Sequence, residues 1–300
     1  MKHLTDIKAL DQASIHLLFD LADSIRSTPV ATTRSWHAGR SAAALFFENS
    51  TRTLCSFQMA CQRLGVDVTA LNIAHSSTQK GESLRDTLLT LAAMQPDLFI
   101  VRHPENQIQQ RMIDWLPPHI GMINAGDGTH QHPTQGLLDL YTISQHKTDW
   151  ASLKVTLIGD IKHSRVANSL IDGLKIMGTQ QIQLYAPDAL IPVALKHRNA
   201  PNLPAALEGA DVVVMLRIQK ERLPLDLDVD FATWHASYGL NSETLSWAKS
   251  DAIVLHPGPM NRGIEISDAV ADGPQSVILE QVTNGVLIRQ ALIHHLLSQS

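Results

Sequence analysis

The sequence predicts an α/β fold of two Rossmann-like domains, each a parallel sheet flanked by helices, with a ligand site in the cleft between them. Three observations lead there. Short β-rich runs alternate with segments of helical period, which is the pattern of parallel strands covered by helices. That alternation occurs twice, with a break near Pro133. The chain has 300 residues, a length at which a single core stops growing and chains divide.

Residues 42–47 form the first run, followed by E-N-S-T-R-T and a helix with Leu54, Phe57, Cys61 and Leu64 on one stripe. Gly65 ends that helix as a C-cap. A second strand, 66–71, leads through the polar stretch 75–81 into a helix carrying Leu84, Leu88 and Leu91. The third run, 97–101, stops at Arg102-His103-Pro104, and the fourth, 119–124, stops at A-G-D-G-T-H-Q-H-P-T-Q. A helix over 135–144 links the halves, and strands at 154–158, 181–185, 211–216 and 252–255 build the second. Domains of 1–133 and 134–284 are expected. A last helical stretch, 285–297, has a pattern that fits packing on either of them.

Composition narrows the function classes. Apolar residues make up 44 % of the chain, and 24 Lys+Arg against 29 Asp+Glu leave a net charge of −5. That balance, with no long basic run, lacks the clustered cations that displace counterions from nucleic acid. The N-terminus mixes charged and apolar residues, and no stretch reaches the length of a membrane span, so a cytoplasmic protein is expected. Cys55 and Cys61 are the only cysteines, too few for a disulfide framework or a zinc site, and read as two buried small apolar side chains. His130 and His132 lack a third ligand at metal-like spacing, so no metal is expected.

In open α/β sheets the ligand lies beyond the carboxyl ends of the strands. Ser50, Thr51, Arg52 and Thr53 open a helix there, where unpaired N–H groups, hydroxyls and a guanidinium suit a phosphate. Alone, that segment reads slightly better as an ordinary Ser/Thr N-cap with a solvent-facing arginine. Other strand ends add Arg102, His132 with Gln135, Arg165, Arg217 with Gln219, and His256-Pro257-Gly258-Pro259. Several cations at one sheet edge call for a multiply charged ligand. No phosphate-binding G-x-x-x-x-G-K-[ST] loop or G-x-S-x-G elbow is present, and Gly126-Asp127-Gly128 meets Gln131 where a dinucleotide fingerprint needs glycine. An anion-rich site with no evident nucleophile suits direct group transfer between two bound substrates, catalysed by positioning and by stabilising developing negative charge.

Across nearly its whole length the chain resembles the transcarbamoylase family. The resemblance rests on F-E-N-S-T-R-T (47–53), K-G-E-S (80–83), R-H-P (102–104), N-A-G-D-G (124–128), H-P-T-Q (132–135), L-R-I-Q-K-E-R (216–222) and H-P-G-P-M-N-R-G (256–263). The last two segments resemble the branch that uses aspartate, since the ornithine branch typically has H-C-L-P in place of H-P-G-P.

The resemblance implies transfer of the carbamoyl group of carbamoyl phosphate to L-aspartate, in pyrimidine synthesis, with no cofactor. Ser50, Thr51, Arg52 and Thr53 would hold the phosphate. Thr53, Arg102 and His132 would donate to the carbamoyl oxygen, while Gln135 and the carbonyls around Pro257 and Gly258 would accept from the carbamoyl amide. Arg165, Arg217 and Gln219 would bind the carboxylates of aspartate. Ser76 and Lys80 match a serine and a lysine that reach the site from a neighbouring subunit, which implies a homotrimer with shared active sites. Regulatory chains or a dihydroorotase are further partners that the family admits. The family also implies that the C-terminal helix, 285–300, completes the first domain. Gly258 departs from members that have leucine there, but its expected role uses only the backbone. H-A-S-Y-G-L-N after Trp234 is shorter than the loop of strongly cooperative members. Rival readings are an ornithine-type transcarbamoylase and a non-catalytic anion-binding homologue. Arg217 with Gln219 weighs against the first, and the full set of polarising groups against the second.

Overall fold

The computed structural model describes residues 1–72, 82–219 and 231–299, and the chain divides into two compact units, Met1–Leu138 with Thr283–Ser300, and Asp139–Val282. In chain order the elements are β1 (His3–Leu4), α1 (Gln12–Ser27), α2 (Val30–Thr33), β2 (Ser41–Phe46), α3 (Thr51–Leu64), β3 (Asp67–Asn72), α4 (Leu84–Ala92), β4 (Leu98–His103), α5 (Ile108–Ile113), β5 (Gly121–Asp127) and α6 (Pro133–Ser144). They continue with β6 (Lys154–Ile158), α7 (Arg165–Ile176), β7 (Gln181–Tyr185), α8 (Leu203–Leu207), β8 (Val212–Met215), α9 (Phe231–Tyr238), α10 (Ser242–Leu245), β9 (Ile253–Leu255), α11 (Asp268–Ala271) and α12 (Ile278–Leu297).

The first unit holds a parallel sheet in the order β1-β5-β4-β2-β3. Its strands are near-continuous apolar runs because helices cover both faces. Ala44, Leu45, Phe99, Ile100, Val101 and Met122 are buried. Gly65 ends α3 in a left-handed conformation, φ 77°, and a Cβ there would lie 2.0 Å from the Arg34 carbonyl oxygen, so only glycine closes this turn without displacing backbone. The C-terminal part of α12 is tied to α3. Arg289 donates to Ser56 Oγ at 2.8 Å and its guanidinium stands 5.0 Å from the ring centroid of the fully buried Phe57. These contacts hold the helix whose first turn carries Thr51, Arg52 and Thr53. Removing the Phe57 ring would cost about 3–5 kcal/mol.

The second unit holds a parallel sheet in the order β7-β6-β8-β9. Val213, Met215, Leu240, Val254 and Ile266 form the centre of one of its cores.

Both predicted parallel sheets are present. The strands expected at 154–158 and 181–185 match β6 and β7, and most of the others shift by one or two residues. Strand β1 was not anticipated, since two residues carry no periodicity. The last helix begins at Ile278, seven residues before the expected start. Leu279 and Val282 are exposed in that first stretch, which blurs its apolar face. One correction concerns the cysteines. Cys61 is buried but Cys55 is exposed, because it lies off the Phe57–Cys61–Leu64 stripe of α3. Burial pushes the Cys61 thiol up to about 12. Among the described residues no helix is long and apolar enough to cross a membrane.

Candidate active site

Each sheet has a topological switch point, where successive connections leave in opposite directions and open a crevice at the carboxyl ends of the strands. In the first unit β2 connects to β3 on one side while β4 and β5 lie on the other, so the crevice falls between β2 and β4. Phe46 and Arg102 are register partners across it. Ser50–Thr53 follow β2 and Arg102 lies within the end of β4, which places them on the same sheet edge.

At the first turn of α3, Ser50 occupies the N-cap position but its side chain makes no capping hydrogen bond. Ser83, Ser164 and Ser267, at the N-caps of α4, α7 and α11, do make such bonds. Thr51 and Arg52 are exposed and Thr53 is buried. The turn therefore combines the positive end of a 14-residue helix, three hydroxyls and a guanidinium, without a side-chain cap from Ser50. Arg102 is largely covered, 12 % exposed, and its Nε lies 2.8 Å from Glu48 Oε1, an ion pair that spans the crevice. Its guanidinium also donates to the Ala125 carbonyl at 3.3 Å. The neighbouring His103 ring lies 4.7 Å from that of Phe47, tilted by 57°, and burial holds its imidazole below the ordinary range, against the opposing pull of Glu105 and Glu48.

The segment after β5 is held by two buried polar side chains. Asn124 donates to the Thr5 carbonyl at 2.8 Å and accepts from the Gly126 N–H at 2.7 Å. Asp127, 1 % exposed, accepts from the backbone N–H of Gln107 at 2.5 Å and of Gln131 at 2.9 Å. Gly128, φ 43°, lies so close to Asn106 that a Cβ would meet its Oδ1 at 1.9 Å. This frame delivers His132, 4 % exposed, to the start of α6, where its carbonyl accepts from the N–H of Gln135 and of Gly136. His132 Nδ1 is 3.5 Å from Thr134 Oγ1.

In the second unit the switch point lies between β6 and β8, whose ends carry Gly159–Arg165 and Arg217–Gln219. Asp160, fully buried, accepts from the His163 N–H at 3.2 Å and pairs with its ring Nδ1 at 2.9 Å. Gln219 Nε2 donates to the His163 carbonyl at 3.0 Å and thereby spans this crevice as well. Arg165 opens α7 after the capping Ser164 and is 8 % exposed, while Arg217 is half-buried. After β9, His256 is buried and Pro257 and Gly258 are half-buried.

The structure thus places Ser50, Thr51, Arg52, Thr53, Arg102, His132 and Gln135 at the carboxyl edge of the first sheet. Arg165, Arg217, Gln219, Pro257 and Gly258 lie at that of the second. Ser76 and Lys80 lie outside the described residues. Sequence reasoning missed Glu48, Asp127 and the Asp160–His163 pair. Acidic residues immediately after strand runs, at E-N-S-T-R-T and Gly159-Asp160, were the available signal. Among the described residues no group of three or more His, Cys, Asp or Glu is arranged to hold a metal ion.

Comparison with known proteins bears on the whole chain. Residues 2–145 match the carbamoyl-phosphate-binding domain of aspartate/ornithine carbamoyltransferases, and residues 151–296 match their aspartate/ornithine-binding domain. Among solved structures, the chain is similar to Trypanosoma cruzi aspartate transcarbamoylase in complex with carbamoyl aspartate and phosphate. The two are 30 % identical with a TM-score of 0.86, over 98 % of this chain and 95 % of that one. The same enzyme in complex with carbamoyl phosphate and aspartate gives 30 % identity and a TM-score of 0.85, over 98 % and 96 %. Its complex with N-(phosphonacetyl)-L-aspartic acid gives 31 % and 0.85, over 98 % and 95 %. With both halves matched and the switch-point residues in place, the chain is a transferase and belongs to the aspartate/ornithine carbamoyltransferase family.

Proposed function

We propose that the chain transfers the carbamoyl group of carbamoyl phosphate to L-aspartate, giving N-carbamoyl-L-aspartate and phosphate, as a step of pyrimidine synthesis. The observation that carries the choice of aspartate is the pair Arg165 and Arg217 at the ends of β6 and β8, with Gln219 bonded across to the His163 carbonyl. Two guanidinium groups suit a dicarboxylate. The cationic side chain of ornithine would gain nothing from them.

In this reading the first turn of α3, through Ser50, Thr51, Arg52 and Thr53, binds the phosphate. Thr53, Arg102 and His132 donate to the carbamoyl oxygen and stabilise its negative charge as the aspartate amine attacks. Gln135 and the carbonyls of Pro257 and Gly258 accept from the carbamoyl amide. The C–N bond forms, the bond from the carbamoyl carbon to the phosphate oxygen breaks, and the departing phosphate takes the proton lost by the amine. Catalysis then comes from orientation and charge stabilisation, needing no bound cofactor. Ser76 and Lys80 would complete the site of a neighbouring chain in a homotrimer.

The test is product formation by the purified protein from carbamoyl phosphate, with L-aspartate and L-ornithine in parallel and Arg52→Ala as the blank. Carbamoyl-aspartate made only with aspartate, and absent from the variant, is the expected result. Product with ornithine instead would overturn the roles given to Arg165, Arg217 and Gln219.

A further inference from the structure

The turn after β9 is built around a carboxylate that the proposed reaction does not use. Glu265 is fully buried, and its Oε1 lies 3.1 Å from His256 Nε2 and accepts from the Asn261 N–H at 2.6 Å. On the other side of the ring, His256 Nδ1 lies 2.9 Å from the Gly258 nitrogen. A backbone N–H can only donate, so Nδ1 accepts, and the ring proton of the neutral imidazole therefore sits on Nε2 and points at Glu265. The His256 N–H donates to Gln281 Oε1 at 2.9 Å, and the Gln281 amide is held in turn by Asp139 Oδ1 at 2.7 Å. His256, Gln281 and Asp139 are at most 3 % exposed.

This arrangement is selective about which backbone groups it satisfies. The N–H groups of His256, Gly258 and Asn261 are all engaged by buried side chains. Neither the Pro257 nor the Gly258 carbonyl is bonded to a donor among the described residues, and both residues are half-buried. Gly258 adopts φ 69°, the left-handed conformation that lets its N–H reach back to the ring two residues earlier. Glu265 Oε2 is buried and has no hydrogen-bond partner among the described residues.

We propose that Glu265 is a positioning residue: acting through His256, it fixes the Pro257–Gly258 backbone so that two carbonyl acceptors are presented to the amide of the carbamoyl group. The proposal rests on the reaction given above and adds the source of its selectivity. Acetyl phosphate has the same phosphate and carbonyl but a methyl group where carbamoyl phosphate has NH2. Rigid carbonyl acceptors reward the amide and give nothing to the methyl group.

The experiment measures KM for carbamoyl phosphate and the inhibition constant of acetyl phosphate in the wild type, Glu265→Ala and Glu265→Gln. Glu265→Ala is expected to raise KM for carbamoyl phosphate about 10-fold, the loss of roughly one well-placed hydrogen bond, and to leave acetyl phosphate inhibition unchanged. Glu265→Gln keeps an oxygen at the Oε1 position and is expected to restore KM to within about threefold of wild type. Where Glu265→Ala gives no folded protein, His256→Gln makes the same test, because it removes the ring acceptor of the Gly258 N–H; the same rise in KM is expected. An unchanged ratio of the two constants in an active enzyme, or a parallel change in both, overturns this proposal alone. A wild-type protein with no turnover overturns the reaction and the proposal together.

Discussion

Glu48 and Arg102 form an ion pair, with 2.8 Å between Oε1 and Nε, across the crevice between β2 and β4. The guanidinium is mostly covered, so solvent screens the pair less than it would a surface bridge. Glu48 follows the strand that leads into the α3 turn, and Arg102 lies in the neighbouring strand. The pair therefore sets the direction of the group assigned to the carbamoyl oxygen. Glu48→Ala is expected to lower kcat/KM for carbamoyl phosphate about 10-fold through lost orientation, with little change in KM for aspartate. Steady-state kinetics with each substrate varied in turn would check this, and a rise in kcat/KM would show that Glu48 only competes with substrate for Arg102.

Ser50 and Ser164 both begin helices, but only Ser164 caps its own, accepting from the Ala167 N–H at 3.1 Å. Ser164→Ala is expected to cost about 1 kcal/mol of stability. Ser50→Ala is expected to leave the melting temperature unchanged and to weaken phosphate inhibition and carbamoyl phosphate binding. Calorimetry on both variants, with phosphate inhibition of the Ser50→Ala enzyme, separates a cap from a ligand-binding hydroxyl. Equal melting losses would mean that Ser50 is simply a cap.

Both sheets were legible because parallel strands buried on two faces are written as apolar runs, and the runs at 154–158 and 181–185 end where β6 and β7 end. The positions of Arg52, Arg102, Arg165 and Arg217 beside strand ends were equally legible, because a charge is conspicuous there. The acidic residues beside strand ends were not. Asp127 and Asp160 look like ordinary loop residues, and only the fold shows them buried and accepting backbone N–H groups. Glu265 is nine residues from His256 in sequence but 3.1 Å away in space, a pairing that no local pattern encodes. Cys55 was misread for the opposite reason. Its residue type is usually buried, but its position on α3 places it away from the core stripe.

Arg217 is assigned a carboxylate of aspartate, so Arg217→Ala should act on one substrate only. KM for aspartate is expected to rise at least 10-fold, the range for a hydrogen-bonded charge pair, with KM for carbamoyl phosphate within about twofold of wild type. Gln219→Ala should have a smaller effect in the same direction, because the amide offers a neutral hydrogen bond where Arg217 offers a charged one. An unchanged aspartate KM in Arg217→Ala would place the amino-acid site elsewhere.

Sharing of sites between subunits is tested by complementation. Arg52→Ala and Lys80→Ala chains are each expected to be inactive, and mixing them under conditions of proven subunit exchange should restore activity at sites that draw both wild-type residues. In a homotrimer mixed in equal amounts, about one site in four has an intact Arg52 and an intact partner lysine, on the assumption of random exchange. Recovery near that fraction supports the shared site. No recovery would mean that each chain builds its own.

His37 and His294 face each other at 2.8 Å, Nε2 to Nδ1, in the first unit. One ring donates to the other, which requires at least one of them to be neutral. Burial, then His294 and Arg40, lower the His37 imidazole to about 4, with Asp97 opposing, and burial lowers His294. Because the folded value lies below the ordinary 6.5, the unfolded chain binds more protons between the two, so stability falls as pH drops from 6.5 toward 4 and is not affected by this group above that window. His37→Gln retains a side-chain hydrogen bond toward His294 but does not titrate. The drop in melting temperature between pH 7.5 and pH 5 is expected to be about 2–4 °C smaller in this variant than in the wild type, for each kcal/mol of proton linkage removed. Parallel thermal melts of the two proteins across that range make the comparison. The same acid sensitivity in both would mean that another group governs it.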